Sequence, residues 1–188
     1  MGVQTERAYH LTAELLSTDL PHRWAHCVGV YRRSLDLASR WLSSEHLVDT
    51  LTASAIAHDI GYADELTRSG HHAVDGARYL KQCGFGDQVV SLVAWHSTAE
   101  WEVPQLGIDL NDEASPPQKR VLRDLLWVAD FTTSPDGRPM SPSTRIADIR
   151  DRYAPDSTPI RALDDSAADF DAVLARFGVS WMVEPGDA

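Results

Sequence analysis

Apolar residues recur at steps of three, four and seven along most of this chain, and no stretch of any length alternates apolar with polar. The first pattern is that of one helix face and the second that of a half-buried strand, so the chain has helices to pack and no sheet to build. "PHRWAHCVGVYRRSLDLASRWL" carries His26, Val30, Leu37 and Trp41 on one such face, with Pro21 in the first turn. A short helix over 5–17 precedes it, and "SSEHLVDTLTASAIAHDIG" comes next, with a serine to cap its start and Gly61 to close it. Further helices are expected over 71–82, 86–97 and about 98–105, then from Pro116–Pro117 to 133, over 144–153 and over 159–178. The polar loop "GIDLNDEASPP" and the Pro/Gly/Ser run "SPDGRPMSPS" punctuate them. The stretch after the second run is too short for another domain. Residues 1–188 therefore read as a single domain, an all-α helical bundle.

Several of those apolar faces carry ionisable residues. His96 follows Val89, Leu92 and Val93, and His72 is in register with Gly76 and Leu80. Asp59 continues Leu51 and Ala55 at steps of four, with His58 beside it, and Asp130 continues Leu122 and Leu126 in the same way. With His26, these groups point inward from separate helices. Each has an ordinary explanation alone: a lone histidine on an apolar face is commonly a core residue, Asp59 can cap a turn at Gly61, and Asp130 can cap or pair with an arginine. Together they form a set that a domain stable by only about 5–15 kcal/mol cannot bury unpaired. A divalent cation resolves the conflict, because it takes carboxylates and neutral imidazoles at once. That donor set suits Mn, Fe, Co, Ni or Zn. Adjacent helical residues diverge by about 100°, so His72 rather than His71 is expected to face the metal. His10, His22 and His46 sit near polar helix ends and are expected in solvent.

Composition narrows the partners. With 17 basic against 28 acidic residues and a formal charge of −11, nucleic acid is an unlikely ligand, while cations or a small anion held by a few local arginines remain. Cys27 and Cys83 lack CxxC spacing and are expected as reduced thiols. No apolar run approaches a membrane span, and "MGVQTERAYHL" lacks the regions of a signal peptide, so no membrane partner and a cytoplasmic location are expected. The tryptophans read as core, with Trp95 and Trp101 available to a pocket mouth. Composition leaves the oligomeric state open.

The order His26, then His58–Asp59, then Asp130, on separate helices, resembles the HD-domain superfamily of metal-dependent phosphohydrolases, with "AHDIG" as the most specific fragment. The wider text "HDIGYADEL…HHAVDGARYL…LVAWHS…ADFTTSPDGR" is similar to small stand-alone bacterial HD proteins. The resemblance covers 20–135 as an HD-domain core and leaves 136–188 as a C-terminal helical extension. It implies a first metal site of His26, His58, Asp59 and Asp130. It implies a second built from His72 and His96, with Asp59 bridging, so that Asp59, His72 and His96 take the catalytic positions around one or two ions. The implied reaction is cleavage of a phosphoester or phosphoanhydride bond in a small, nucleotide-like phosphorylated substrate by metal-activated water. Arg23, Arg68 and Arg138 are candidates to hold the phosphate by proximity in sequence. A regulatory metal-binding HD module and a dinuclear-iron oxygenase are the alternatives. One departure stands out: where (p)ppGpp hydrolases and nucleoside monophosphatases of the superfamily place a glutamate three residues after the aspartate, this chain has Tyr62.

Overall fold

The structure, a computed structural model, is described over residues 1–182. Among these residues there are α-helices, short 3-10 turns and one isolated bridge between Thr133 and Pro139, with no strand. No described helix is long and apolar enough to cross a membrane.

Helix α1 (Val3–Leu16) is capped from outside itself: Asp49 accepts the Gln4 and Thr5 backbone N–H groups at 3.1 and 2.9 Å. That bond ties α1 to α3 (Glu45–Ala57), which also packs along α2 (Pro21–Trp41). Helix α4 (His72–Gln82) is capped by His71, whose Nδ1 accepts from the Ala73 N–H, and packs on α5 (Asp87–Ala94). Single-turn helices α6 (Ala99–Glu102) and α7 (Leu110–Glu113) lead to α8 (Arg120–Phe131). Helices α9 (Pro142–Arg152), α10 (Thr158–Asp165) and α11 (Ala167–Phe177) complete the chain, α9 opened by a Ser141 cap and α11 closed by Gly178 at φ +64°.

Two apolar clusters form the core. One joins Leu16, Cys27, Ile56, Leu80 and Val93, and the other joins Val30, Leu51, Leu92, Leu126 and Phe170. Helices α2, α3 and α5 present one face to each cluster, which holds them rigidly between the two. Cys27 and Cys83 are free thiols.

Several elements depart from expectation for local reasons. The helix expected from 116 begins at Arg120: Pro117 keeps Pro116 out of the helical region, and Lys119, at φ −104° and ψ 87°, is the non-helical residue before the first turn. The expected 159–178 helix breaks at Ser166, whose Oγ bonds back to the Leu163 carbonyl and competes with the helix. The loop at 107–117 contains α7, capped by Asp109. Ser44 starts α3 without a side-chain cap bond. Gly61 does not close that helix, which ends at Ala57; it sits in the next turn, where a Cβ would meet the His72 carbonyl at 2.0 Å. Glycine there lets the turn press against the start of α4. Trp41 leaves the stripe it was expected to continue, 47% exposed at the end of α2 and edge-on to Phe177.

Candidate metal centre

His26 projects from the second turn of α2 and Asp130 from the last turn of α8, as their stripes predict. His58 and Asp59 lie just past α3 and His96 just past α5, so these stripes continue one step beyond the helices that define them. After His96 the chain turns through Ser97 at φ +51°, a left-handed conformation uncommon for serine. The turn brings the Ser97 hydroxyl to donate to Asp130 Oδ2.

Three of the imidazoles share one device. The Nδ1 atoms of His26, His58 and His96 stand 3.0, 2.8 and 2.6 Å from the carbonyls of Ser134, Ala55 and Val93. A carbonyl can only accept, so each Nδ1 carries a proton and each ring turns its Nε2 toward the others. The Ser134 carbonyl is itself set by a tight loop. Gly137 stands there at φ +80°, and a Cβ on it would meet the Ala25 carbonyl at 2.2 Å.

The convergence is close. His26 Nε2 is 3.1 Å from Asp130 Oδ1, and His58 Nε2 is 3.4 Å from Asp59 Oδ2. His72 Nε2 is 3.3 Å from Asp59 Oδ1 and 3.2 Å from His96 Nε2. Ligand atoms of His26, His58 and Asp130 lie within 4.8 Å of one another, and so do those of His58, Asp59 and His96. His58 thus belongs to both groups, and His72 stands at the edge of the second. The donor chemistry fits a divalent cation. His58 is fully buried and its Nε2 has no hydrogen-bond partner, which is costly unless something accepts that lone pair.

Protein charges act in the same sense. Burial pushes the His72 and His96 imidazoles below the usual range, which keeps them neutral. Burial alone would raise the Asp59 carboxyl, but His58 and Arg23 hold it well below the ordinary range. Asp130 is likewise held low against its burial, first by the His26 hydrogen bond and then by His58. Asp130 is not stranded as its stripe suggests: Ser97, His26 and, at 3.7 Å, Arg145 Nη2 surround it.

A cleft of about 100 Å³ opens over this cluster, walled by Asp59, His72, His96 and Asp130 together with arginines. Of the candidate phosphate ligands only Arg23 lies there, its Nη1 2.7 Å from Asp59 Oδ2. Arg68 and Arg138 lie outside: Arg68 binds the Thr67 carbonyl, and Arg138 is 81% exposed beside Asp136. Neighbours in sequence to a ligand were carried away by their loops. The cleft takes Arg145 and Arg152 from α9 instead. Arg145 is buried with its Nε unpartnered. Its signal in the sequence is a cation one helical turn before Ile149, a residue of the same wall.

His71 also lines the cleft, but its Nε2 is taken up by Glu102 at 3.4 Å. His10, His22 and His46 are exposed. Trp95 and Trp101 do not line the cleft; Trp95 donates to the Ala114 carbonyl, and Trp101 packs on Trp127. A larger cavity, about 300 Å³, lies between α5 and the 113–119 loop, but it brings none of the histidines together. The smaller cleft holds the convergent donors and is the better candidate for chemistry.

The HD domain profile matches residues 23–156, which reaches past the expected boundary at 135 to include all of α9. Searches of the curated proteins and of the solved structures return no match. The matched span contains all six converging histidines and aspartates on their all-helical frame, and with it the chain belongs to the HD-domain family, whose members are generally metal-dependent phosphohydrolases.

Proposed function

We propose that this protein is a metal-dependent phosphohydrolase that cleaves a phosphoester or phosphoanhydride bond in a small, nucleotide-like molecule. The observation that carries the reading is the clamping of three imidazoles by backbone carbonyls, so that their Nε2 atoms meet two carboxylates at the floor of a cationic cleft. His26, His58 and Asp130 are the residues to hold a first ion, with Asp59 between them and a second held by His72 and His96. A divalent metal bound there supplies Lewis acidity and lowers the pKa of water to near neutrality.

The chain's own groups do the rest. Asp59, His72 and His96 stand at the reacting end of the cleft. Arg145 and Arg152, with Arg23, neutralise and orient a phosphoryl group above them, and the two α9 guanidiniums replace the role expected of Arg68 and Arg138. Burial of His26, His58 and Asp130 keeps bulk water off the floor.

Phosphate release from a panel of nucleotides and small phosphoesters, with Mn added, tests the reading. Release that a chelator abolishes is the expected result. Metal uptake with no release from any panel member would favour a regulatory module, and oxygen consumption by the iron-loaded protein would favour an oxygenase.

A further inference from the structure

His72 is held differently from the other three imidazoles. Among the described residues its Nδ1 has no hydrogen-bond partner, whereas His26, His58 and His96 each have a carbonyl. Two rings lie almost parallel to it instead. The Tyr62 ring is 4.2 Å away at 15°, and the His71 ring is 4.8 Å away at 24°. Two rings so near and so parallel to a third cannot share one of its faces, so His72 lies between them.

The stack extends further. The Arg23 guanidinium carbon sits 4.0 Å from the Tyr62 ring centre, on the face away from His72 by the same steric argument. Both ends of this column are tied down. Arg23 is bonded to Asp59 at 2.7 Å, and His71 both reaches Glu102 at 3.4 Å and caps α4 through Nδ1. Glu102 is fixed in turn by the Thr98 hydroxyl.

We propose that Tyr62 and His71 are positioning residues for His72, fixing the plane of its ring by stacking, with Arg23 and Glu102 as the anchors of the column. Position 62 thereby supports a ligand ring instead of supplying a carboxylate. The inference rests on the reading of His72 as a ligand to a second ion. A histidine held by ring faces can still slide and turn within its plane, whereas a carbonyl sets the direction of Nδ1, so the second ion is the one these residues control. Supporting partners of metal ligands typically change affinity by about 10- to 100-fold when removed.

Calorimetric titration of chelator-treated protein with Mn tests this, without need of a substrate. Wild type should take up two ions. Tyr62→Phe keeps the ring and should bind both as wild type does. Tyr62→Leu should bind the first ion normally and the second about 10- to 100-fold more weakly. His71→Asn keeps a helix-capping side chain but loses the ring, so it provides a folded variant whatever Tyr62→Leu does, and it should show the same selective loss. Unchanged second-ion affinity in His71→Asn, or equal weakening in Tyr62→Phe and Tyr62→Leu, overturns the stacking role while leaving the two-ion reading intact. Wild type that takes up no second ion overturns the two-ion reading, and the positioning role with it.

Discussion

His26 and His58 lie under the floor of the cleft, 1% and 0% exposed, with their Nδ1 protons fixed by carbonyls of Ser134 and Ala55. His72 lines the cleft, its side chain 17% exposed, and rests between two aromatic rings. Both ends of the cluster present imidazole nitrogen to carboxylate at little over 3 Å. The buried end is part of the core and cannot change without disturbing packing. At the open end His72 is held by side chains, and it meets solvent and the arginines of α9. On the proposed two-ion reading, a site built this way would keep one ion as structure and offer the other to a substrate.

Asp59 joins the two ends, contacting His58 through Oδ2 and His72 through Oδ1, so its replacement gives the largest effect. Asp59→Asn should lose both ions and nearly all phosphate release, read by metal analysis and a phosphate assay on one preparation. Retention of either ion at wild-type affinity would mean that the ends are independent.

A smaller and more selective effect separates the ends. His26→Ala removes one hydrogen bond from Asp130 and one from the Ser134 carbonyl, each worth about 0.5–1.5 kcal/mol, while Ser97 and Gly137 still donate to them. Thermal unfolding in chelator should drop by several degrees. His72→Ala, made at the cleft, should shift the same midpoint little while weakening the second ion. Equal melting losses would erase the distinction between a structural and an exchangeable end.

The smallest effect concerns Glu102 at the open end. Burial would raise its carboxyl, but His71 and Thr98 hold it below the ordinary glutamate range. A group depressed in the folded state adds stability that is present above its unfolded pKa and lost as pH falls through the folded value. Glu102→Gln should therefore be slightly less stable than wild type at neutral pH, with the gap closing in acid. A gap independent of pH would show that shape, not charge, matters at this position.

Much of this site is legible in the sequence because helical periodicity is a local property. Asp130 falls on the face of Leu122 and Leu126, and His26 on that of Val30 and Leu37, so inward direction comes from spacing alone. The divergence expected between His71 and His72 as helical neighbours does not hold, because His71 stands outside the helix as its cap with its ring nearly parallel to that of His72. Even His58 and His96 obeyed the pattern, although they sit one and two residues beyond a helix end.

Sequence by itself determined the all-helical class, the inward set of histidines and aspartates, and the donor chemistry that calls for a divalent metal. Tertiary structure decided how those groups are held and what surrounds them. The Ser134 carbonyl reaches His26 across 108 positions of sequence, and Arg145 reaches Asp130 from a helix that carries no part of the motif. Arg68 and Arg138, near ligands in sequence, ended outside the cleft. Periodicity fixes which way a side chain leaves its own helix. Which distant group it meets depends on how helices pack and loops turn, and that is set by steric fit and hydrogen bonding across the whole core.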